Sequence, residues 1–274
     1  MRAAPRPADL DATEHDAPIR APGYLGGMTA TPIRTVCFDF DQTLGYMSPS
    51  HWDAYEEAAR TAGLDVTAVA LRAGGTESGW ERWSTPLGPV HRDASASQKS
   101  FRALRAELAV ARFRAAITGE VDEAALYEAG RTAALLEEES ARYVLFDDAI
   151  PALQRLQGAG IVSVIVSNHV WTLPEIVQHC GIGDLVALTL TSAREGFRKP
   201  HPAIFESALG RASTRPWDAL MVGDSLSADV RGAERAGMHA VFIDRDGTKE
   251  VPGDVRVIRT LIDVPLEWAV ESEA

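Results

Sequence analysis

An α/β architecture is predicted for this chain: a doubly wound parallel sheet, interrupted early by an inserted α-helical domain. Three observations predict it. Short β-branched runs alternate with helix-length stretches from residue 33 onward, the pattern of a parallel sheet with helices on both faces. The alternation stops after the first strand, and residues 48 to 142 read as helix after helix. At 274 residues the chain exceeds the common size of one domain, which suits a Rossmann-like core carrying an insertion.

The elements follow in order. Residues 1–30 begin "MRAAPRPADLDATEHDAPIRAPGYLGG", rich in Pro, Ala, Asp and Gly with no apolar period, and read as a disordered tail. Met28 is an alternative start. "IRTVCFDF" has the β-branched and aromatic composition of a buried strand. "SPSHWDAYEEAARTAG" is a helix with Ser in front and Gly63 behind. "RAGGTESGWERWSTPLGPV" reads as an irregular loop long enough to reach a site at the sheet end. "SQKSFRALRAELAVARFRAAITG" and "DEAALYEAGRTAALLEEESARYV" are two further long helices. Helix "DDAIPALQRLQGAG" and strand "IVSVIVS" resume the alternation, followed by helix "TLPEIVQHCG" and strand "LVALTL". Helix "HPAIFESALG", strand "DALMVG", helix "SADVRGAERAG" and strand "HAVFID" complete it. The core is therefore expected over 31–46 and 144–274, and the helical insertion over 47–143.

Composition narrows the partners. Hydrophobic residues at 46% and charged residues at 24% are ordinary for a soluble globular chain. A net charge of −12 argues against a nucleic-acid or anionic-membrane surface, although local charge decides whether a small anion binds. Cys37 and Cys180 are too few for a disulfide framework, which suits a reducing, cytoplasmic setting. No apolar run has the length of a membrane span, and the first 30 residues lack a signal peptide's apolar stretch. A monomer or homodimer is expected.

The chemistry sits where strands end, because ligands of open α/β sheets bind outside the carboxyl ends of the strands. Asp39 and Asp41 flank Phe40 at the tip of the first strand, and residues two apart on a strand share a face. Two like charges so close need something positive, most simply a metal ion. Another strand ends in Ser167 and Asn168, and another in Gly223 and Asp224, with Ser225 behind. "LVALTL" leads into "REGFRKPHP", which carries Lys199. Singly, these features are a helix cap, a surface loop or an N-cap; together, in this order, they are specific.

The ordered set resembles the haloacid dehalogenase-like hydrolase superfamily. Its first motif, D-x-D-x-T-L after an apolar strand, stands as "FDFDQTL"; the second as "VIVSN"; the third, Lys before Pro, as "FRKPHP"; the fourth, G-D-S-x-x-x-D, as "GDSLSADV". The resemblance spans roughly residues 33 to 245 and accounts for the insertion, since one branch places an α-helical cap between the first two motifs. It implies a phosphatase acting on a small phosphorylated metabolite, with Asp39 as nucleophile and Asp41 as general acid and base. It implies Mg²⁺ held by the Asp39 carboxylate, the Asp41 backbone carbonyl and Asp224, an all-oxygen set. Ser167 and the amide of Asn168 would bind phosphoryl oxygens, and Lys199 would add fixed positive charge. Thr43 would brace the loop or contact phosphate, Ser225 would support it, and Asp229 would orient Lys199 or a metal-bound water.

Alternatives stay open. Dehalogenating relatives dispense with the second aspartate of the first motif, so Asp41 argues for phosphoryl chemistry. A mutase of the β-phosphoglucomutase type, a phosphonate-cleaving enzyme and a catalytically dead binding module remain as readings. The phosphonate branch needs a cap lysine, and Lys99, the one lysine between 45 and 198, lies in a predicted helix. Within 91–114, Arg92, Lys99, Arg102, Arg105, Arg112 and Arg114 outnumber Asp93 and Glu107 by six to two. A solvated helix face is the favoured reading of that excess, and an anion-holding surface the other. Trp52, Trp80 and Trp83 are either core of the insertion or a stacking surface.

Overall fold

The structure is a computed structural model and describes residues 30–74 and 89–269; the expectations for residues 1–29 and for Trp80 and Trp83 lie outside the described residues. The strands are β1 (Ala30–Pro32), β2 (Thr35–Phe38), β3 (Gly45–Met47), β4 (Tyr143–Leu145), β5 (Val162–Ser167), β6 (Leu188–Thr191), β7 (Ala219–Gly223), β8 (His239–Ile243), β9 (Val257–Ile258) and β10 (Glu267–Ala269). Six of them form one sheet in the order β6-β5-β2-β7-β8-β9, with every pairing parallel. The β-branched runs read from the sequence are these strands, and their residues divide by alternation between two cores. Val36, Phe38, Ile165, Leu220, Val222 and Val241 pack on one face. Cys37, Val164, Val166, Met221, Ala240 and Phe242 pack on the other. Period-two side chains buried on both sides are what a parallel sheet covered twice requires.

Between β3 and β4 lie α1 (His51–Thr61), α2 (Ala68–Gly74), α3 (Pro89–Ala94), α4 (Gln98–Ala116) and α5 (Glu123–Leu136). Ser50 caps α1 through a capping box with Asp53, and Ser97 and Asp122 cap α4 and α5. The third long helix of the sequence reading ends earlier than expected, at Leu136, and Tyr143–Leu145 is a strand antiparallel to β3. The reason lies in the run Glu137–Glu138–Glu139. Each side chain is drawn to a separate arginine, Arg105, Arg102 and Arg142, so the run leaves the helix. After β4 come α6 (Ala149–Gly158), α7 (Leu173–His179), α8 (Ser192–Glu195), α9 (Pro202–Arg211) and α10 (Arg231–Arg235). The last predicted helix opens as a π-turn over Leu226–Val230 before α10 begins. β1 pairs with β10, which takes in Ala30, the last residue of the stretch read as a tail.

Helices α4 and α5 pack closely where Gly130 faces α4. A Cβ there would stand 2.6 Å from Val110 Cγ2 and 2.7 Å from the Ala106 carbonyl oxygen. Gly130→Ala is expected to overpack this contact at a cost of about 1–3 kcal/mol, lowering the melting midpoint by about 3–10 °C. A thermal melt unchanged from wild type would show that the helices shift apart without penalty.

Candidate active site

The site is built at the carboxyl end of the sheet, beginning with the turn after β2. The Phe40 carbonyl accepts from the backbone N–H groups of Thr43, Leu44 and Gly45, and Gln42 takes a positive φ of 58° to close the turn. Phe40 is fully buried against Tyr143 and His169, both edge-on or tilted to its neighbours. Asp39 and Asp41 flank this buried ring, and Asp41 meets the same His169 that packs on it. Asp39 is buried, while the Asp41 side chain is 48% exposed.

Lys199 occupies the space beside Asp39. Its Nζ lies 2.8 Å from Asp39 Oδ1 and 2.5 Å from Asp229 Oδ1, with the lysine side chain 1% exposed. Burial works against its charge, but Asp229 and Asp39 together raise its pKa above the ordinary lysine value. The loop bearing it is fixed by Asn168. The Asn168 side-chain carbonyl accepts from the Lys199 N–H at 2.8 Å, and its NH₂ donates to the Lys199 carbonyl at 2.9 Å. Asn168 and Lys199 are 31 residues apart, so this two-point clamp ties the end of β5 to the loop after β6.

Asp224 follows β7, and Asp229 returns to it from the π-turn. Asp229 Oδ2 accepts from the Ser225 N–H at 3.0 Å, and the Ser225 hydroxyl accepts from the Ala228 N–H at 3.2 Å. Gly223 is required here: a Cβ would sit 2.2 Å from Asp229 Oδ2. Burial pushes the Asp229 carboxyl up against the pull of Lys199, and Asp39 adds to the rise. Burial and Asp39 likewise raise Asp224, opposed by Lys249. Carboxylate oxygens of Asp39, Asp224 and Asp229 all lie within 4.8 Å of one another. Three hard oxygen donors converging in a buried pocket fit Mg²⁺, which takes carboxylates and water rather than nitrogen or sulfur.

Beside this cluster a cavity of about 320 Å³ opens, walled by Asp41, Asn168 and His169 from the sheet end and by His51, Trp52 and Arg112 from the inserted helices. Burial opposes ionisation of Asp41, yet His169 and the more remote His51 outweigh it and hold the carboxyl below its ordinary range. Ser167 is buried at the end of β5. The Thr43 hydroxyl is buried without a hydrogen-bond partner among the described residues.

Comparison with known proteins agrees with this geometry. A family model described as a haloacid dehalogenase-like hydrolase matches residues 33–237. The chain belongs to this hydrolase family, among its phosphatases. The phosphoserine phosphatase of Thermus thermophilus is 30% identical over 232 residues, which is 80% of this chain and 92% of that protein. The ribulose-1,5-bisphosphate 5-phosphatase of Halopiger xanaduensis is 38% identical over 112 residues, 40% of this chain and 45% of that one. YfnB of Bacillus subtilis, whose crystal structure was solved bound to magnesium, superposes with a TM-score of 0.52 at 26% identity, covering 84% of this chain and 96% of that one.

Three residues of the phosphatase's site escaped the sequence reading. His169 Nε2 lies 3.4 Å from Asp41 Oδ2, with the ring packed between Phe40 and Tyr143. Its position two residues after Ser167 was the available signal. Lys249, on the loop after β8, donates to the Asp224 carbonyl at 2.8 Å and to its Oδ2 at 3.2 Å. Arg245 donates to the Thr43 carbonyl at 2.5 Å, forks onto Asp148 at 3.0 and 3.1 Å, and lies over the Phe146 ring. That fork braces the turn carrying Asp39 and Asp41. Of the basic residues in 91–114, Arg114 is an exposed partner of Glu123 as a solvated face would be, but Arg112 is buried and, with Arg105, lines the cavity. Arg105 and Arg112 are seven apart on α4, two turns along one face.

Lys199→Met would leave Asp39 and Asp229 buried together without their cation. It is expected to cost about 3–5 kcal/mol, the usual penalty for breaking a buried pair from one side. The deficit depends on pH. In the variant the folded-state pKa of Asp229 stands above its unfolded value, so its contribution to stability is present at low pH and is lost as pH rises. Denaturant melts at pH 5 and pH 8 should show the larger deficit at pH 8; an equal deficit would mean that Asp229 carries no buried charge.

Proposed function

We propose that this phosphatase depends on Mg²⁺ and works through a covalent aspartyl-phosphate on Asp39. The observation that carries the reading is the meeting of Asp39, Asp224 and Asp229 around Lys199 at the sheet end, with Asp41 half exposed beside them. The Asp39 carboxylate attacks phosphorus, and the ester P–O bond breaks. Asp41 gives its proton to the departing alkoxide. Water then attacks the aspartyl-phosphate, Asp41 takes a proton from it, and inorganic phosphate leaves with Asp39 restored. The low pKa set by His169 suits the second role, in which the carboxylate accepts a proton.

Lys199 holds positive charge at the transferring group, and Asp229 keeps Lys199 in place. The Ser167 hydroxyl, the Asn168 backbone N–H and the unpartnered Thr43 hydroxyl are the groups assigned to phosphoryl oxygens. The Asp39 carboxylate, the Asp41 backbone carbonyl and Asp224 would hold the ion, with Ser225 supporting the loop. Bound there, Mg²⁺ supplies the charge neutralisation that lets a carboxylate approach an anionic phosphoryl group. The magnesium bound by YfnB supports the assignment. Relatives named for phosphoserine and ribulose 1,5-bisphosphate support a small phosphorylated metabolite as substrate. The helices between β3 and β4 are assigned as the cap that closes over it.

Purified protein is expected to hydrolyse p-nitrophenyl phosphate with Mg²⁺ and to lose that activity in EDTA; turnover indifferent to chelator would remove the metal. Asp39→Asn should abolish turnover while leaving the melting midpoint near wild type, and turnover close to wild type would exclude the covalent route. Asp41→Asn should slow turnover by about 10²–10⁴, with a smaller loss for aryl phosphates of low leaving-group pKa. An equal phosphorylation defect across a leaving-group series would take Asp41 out of the acid role.

A further inference from the structure

Asp41 and His169 make an unequal pair. The Asp41 side chain is 48% exposed and the His169 side chain 3%. An exposed carboxylate by itself turns among rotamers, whereas a group that hands a proton to a departing oxygen has to keep one. Among the described residues, one contact of hydrogen-bond or ion-pair length reaches the Asp41 carboxylate: His169 Nε2, 3.4 Å from Oδ2.

The imidazole is fixed independently of Asp41. It meets the Phe40 ring edge-on, with centroids 5.6 Å apart at 86°, and the Tyr143 ring at 5.3 Å and 54°. Its backbone is held as well. The Thr191 hydroxyl, at the end of β6, lies 2.7 Å from the His169 carbonyl oxygen and 3.0 Å from that of Val170, and donates to them. The residue before it, Asn168, is clamped to the Lys199 backbone. The stretch that fixes the lysine therefore fixes the imidazole too.

The surroundings also place the ring's proton. A neutral imidazole carries one N–H. His169 Nδ1 is buried and has no hydrogen-bond partner among the described residues. A proton there would be an unpaired buried donor, the costly case. A proton on Nε2 has Asp41 Oδ2 as its acceptor. At 3.4 Å the contact is at the long end of hydrogen-bond reach, as catalytic hydrogen bonds often are before substrate binds.

We infer that His169 is a positioning residue for the proton transfers: its Nε2–H donates to Asp41 Oδ2 and holds the carboxyl group in the rotamer that leaves Oδ1 for the departing alkoxide and the attacking water. The inference rests on the acid–base role proposed for Asp41 and adds the residue that orients it. The transferred proton moves between Asp41 and the reacting oxygen, and the Nε2 proton stays on the ring.

Two esters of similar shape test it, phenyl phosphate and p-nitrophenyl phosphate, compared by kcat/KM, which reports steps up to phosphorylation of Asp39. His169→Leu fills space without a donor. It should lower kcat/KM about 10- to 100-fold for phenyl phosphate, and less than about threefold for p-nitrophenyl phosphate, whose leaving group needs little protonation. In an Asp41→Asn background the same substitution should change neither value by more than about twofold, because His169 acts through Asp41. In wild type, nitrogen NMR of ring-labelled histidine, with His169 assigned by its contacts to Phe40 and Tyr143, should find Nε2 protonated; this decides the matter if His169→Leu does not fold. Equal losses for the two esters, an undiminished loss in the Asp41→Asn background, or a bare Nε2 would each overturn the inference and leave the role of Asp41 standing. Asp41→Asn as fast as wild type on phenyl phosphate would overturn that role and this inference with it.

Discussion

The ion pair of Lys199 with Asp39 and Asp229 is the constraint on which the rest of the site depends. Asp39 stands at the sheet end with Asp229 on the other side of the ammonium; without a cation the two acids would repel in a buried pocket. Other features follow from satisfying that contact. Gly223 has no side chain because Asp229 fills its space. The chain after β7 takes a π-turn, and Asp229 meets the Ser225 N–H across it. Asn168 spends both polar atoms of its amide on the Lys199 backbone, which places the ammonium without using the ammonium's own donors.

The fold and the acidic half of the site were legible in the sequence because both are local signals. Period-two burial produced the strands, and the polar residues at their ends, Asp39, Asp41, Ser167, Asp224 and Asp229, are gathered by the parallel sheet itself. Lys199 was legible as part of an ordered set. What was not legible depends on pairs far apart in the chain. His169 meets Asp41, Lys249 meets Asp224, and Arg245 meets Thr43 only after the sheet has assembled. β3 and β4 are three residues each, too short for alternation to reveal. The arginines of α4 illustrate a preference only partly met: the basic excess was read as a solvated face ahead of an anion-holding surface, whereas the seven-residue spacing of Arg105 and Arg112 puts both on one stripe that lines the cavity.

Electrostatically the site has two compartments. The sheet end is acidic, with three carboxylates against Lys199 and Lys249. The adjoining cavity is lined, among the described residues, by arginines from α2, α4 and the loop before Lys199. Asp41 stands on the border, in contact with His169 and lining the cavity. The role proposed for Asp41, giving a proton to the leaving oxygen and taking one from water, suits that border.

The pairing of β3 with β4 bears on mechanics. Both covalent crossings between the sheet and the intervening helices run through these two strands, which are hydrogen-bonded to each other from Gly45–Leu145 to Met47–Tyr143. A body joined by two independent threads can twist, slide and tilt; one joined by a single two-stranded ribbon has chiefly a bending axis. Its near end is anchored in chemistry, since the Phe146 N–H donates to the Leu44 carbonyl and Arg245 grips Thr43. A rotation about that axis would carry Arg112 and His51 along an arc whose pivot lies only a few residues from Asp41. Because that axis lies beside the turn of Asp39 and Asp41, a rotation about it would displace that turn far less than the rim.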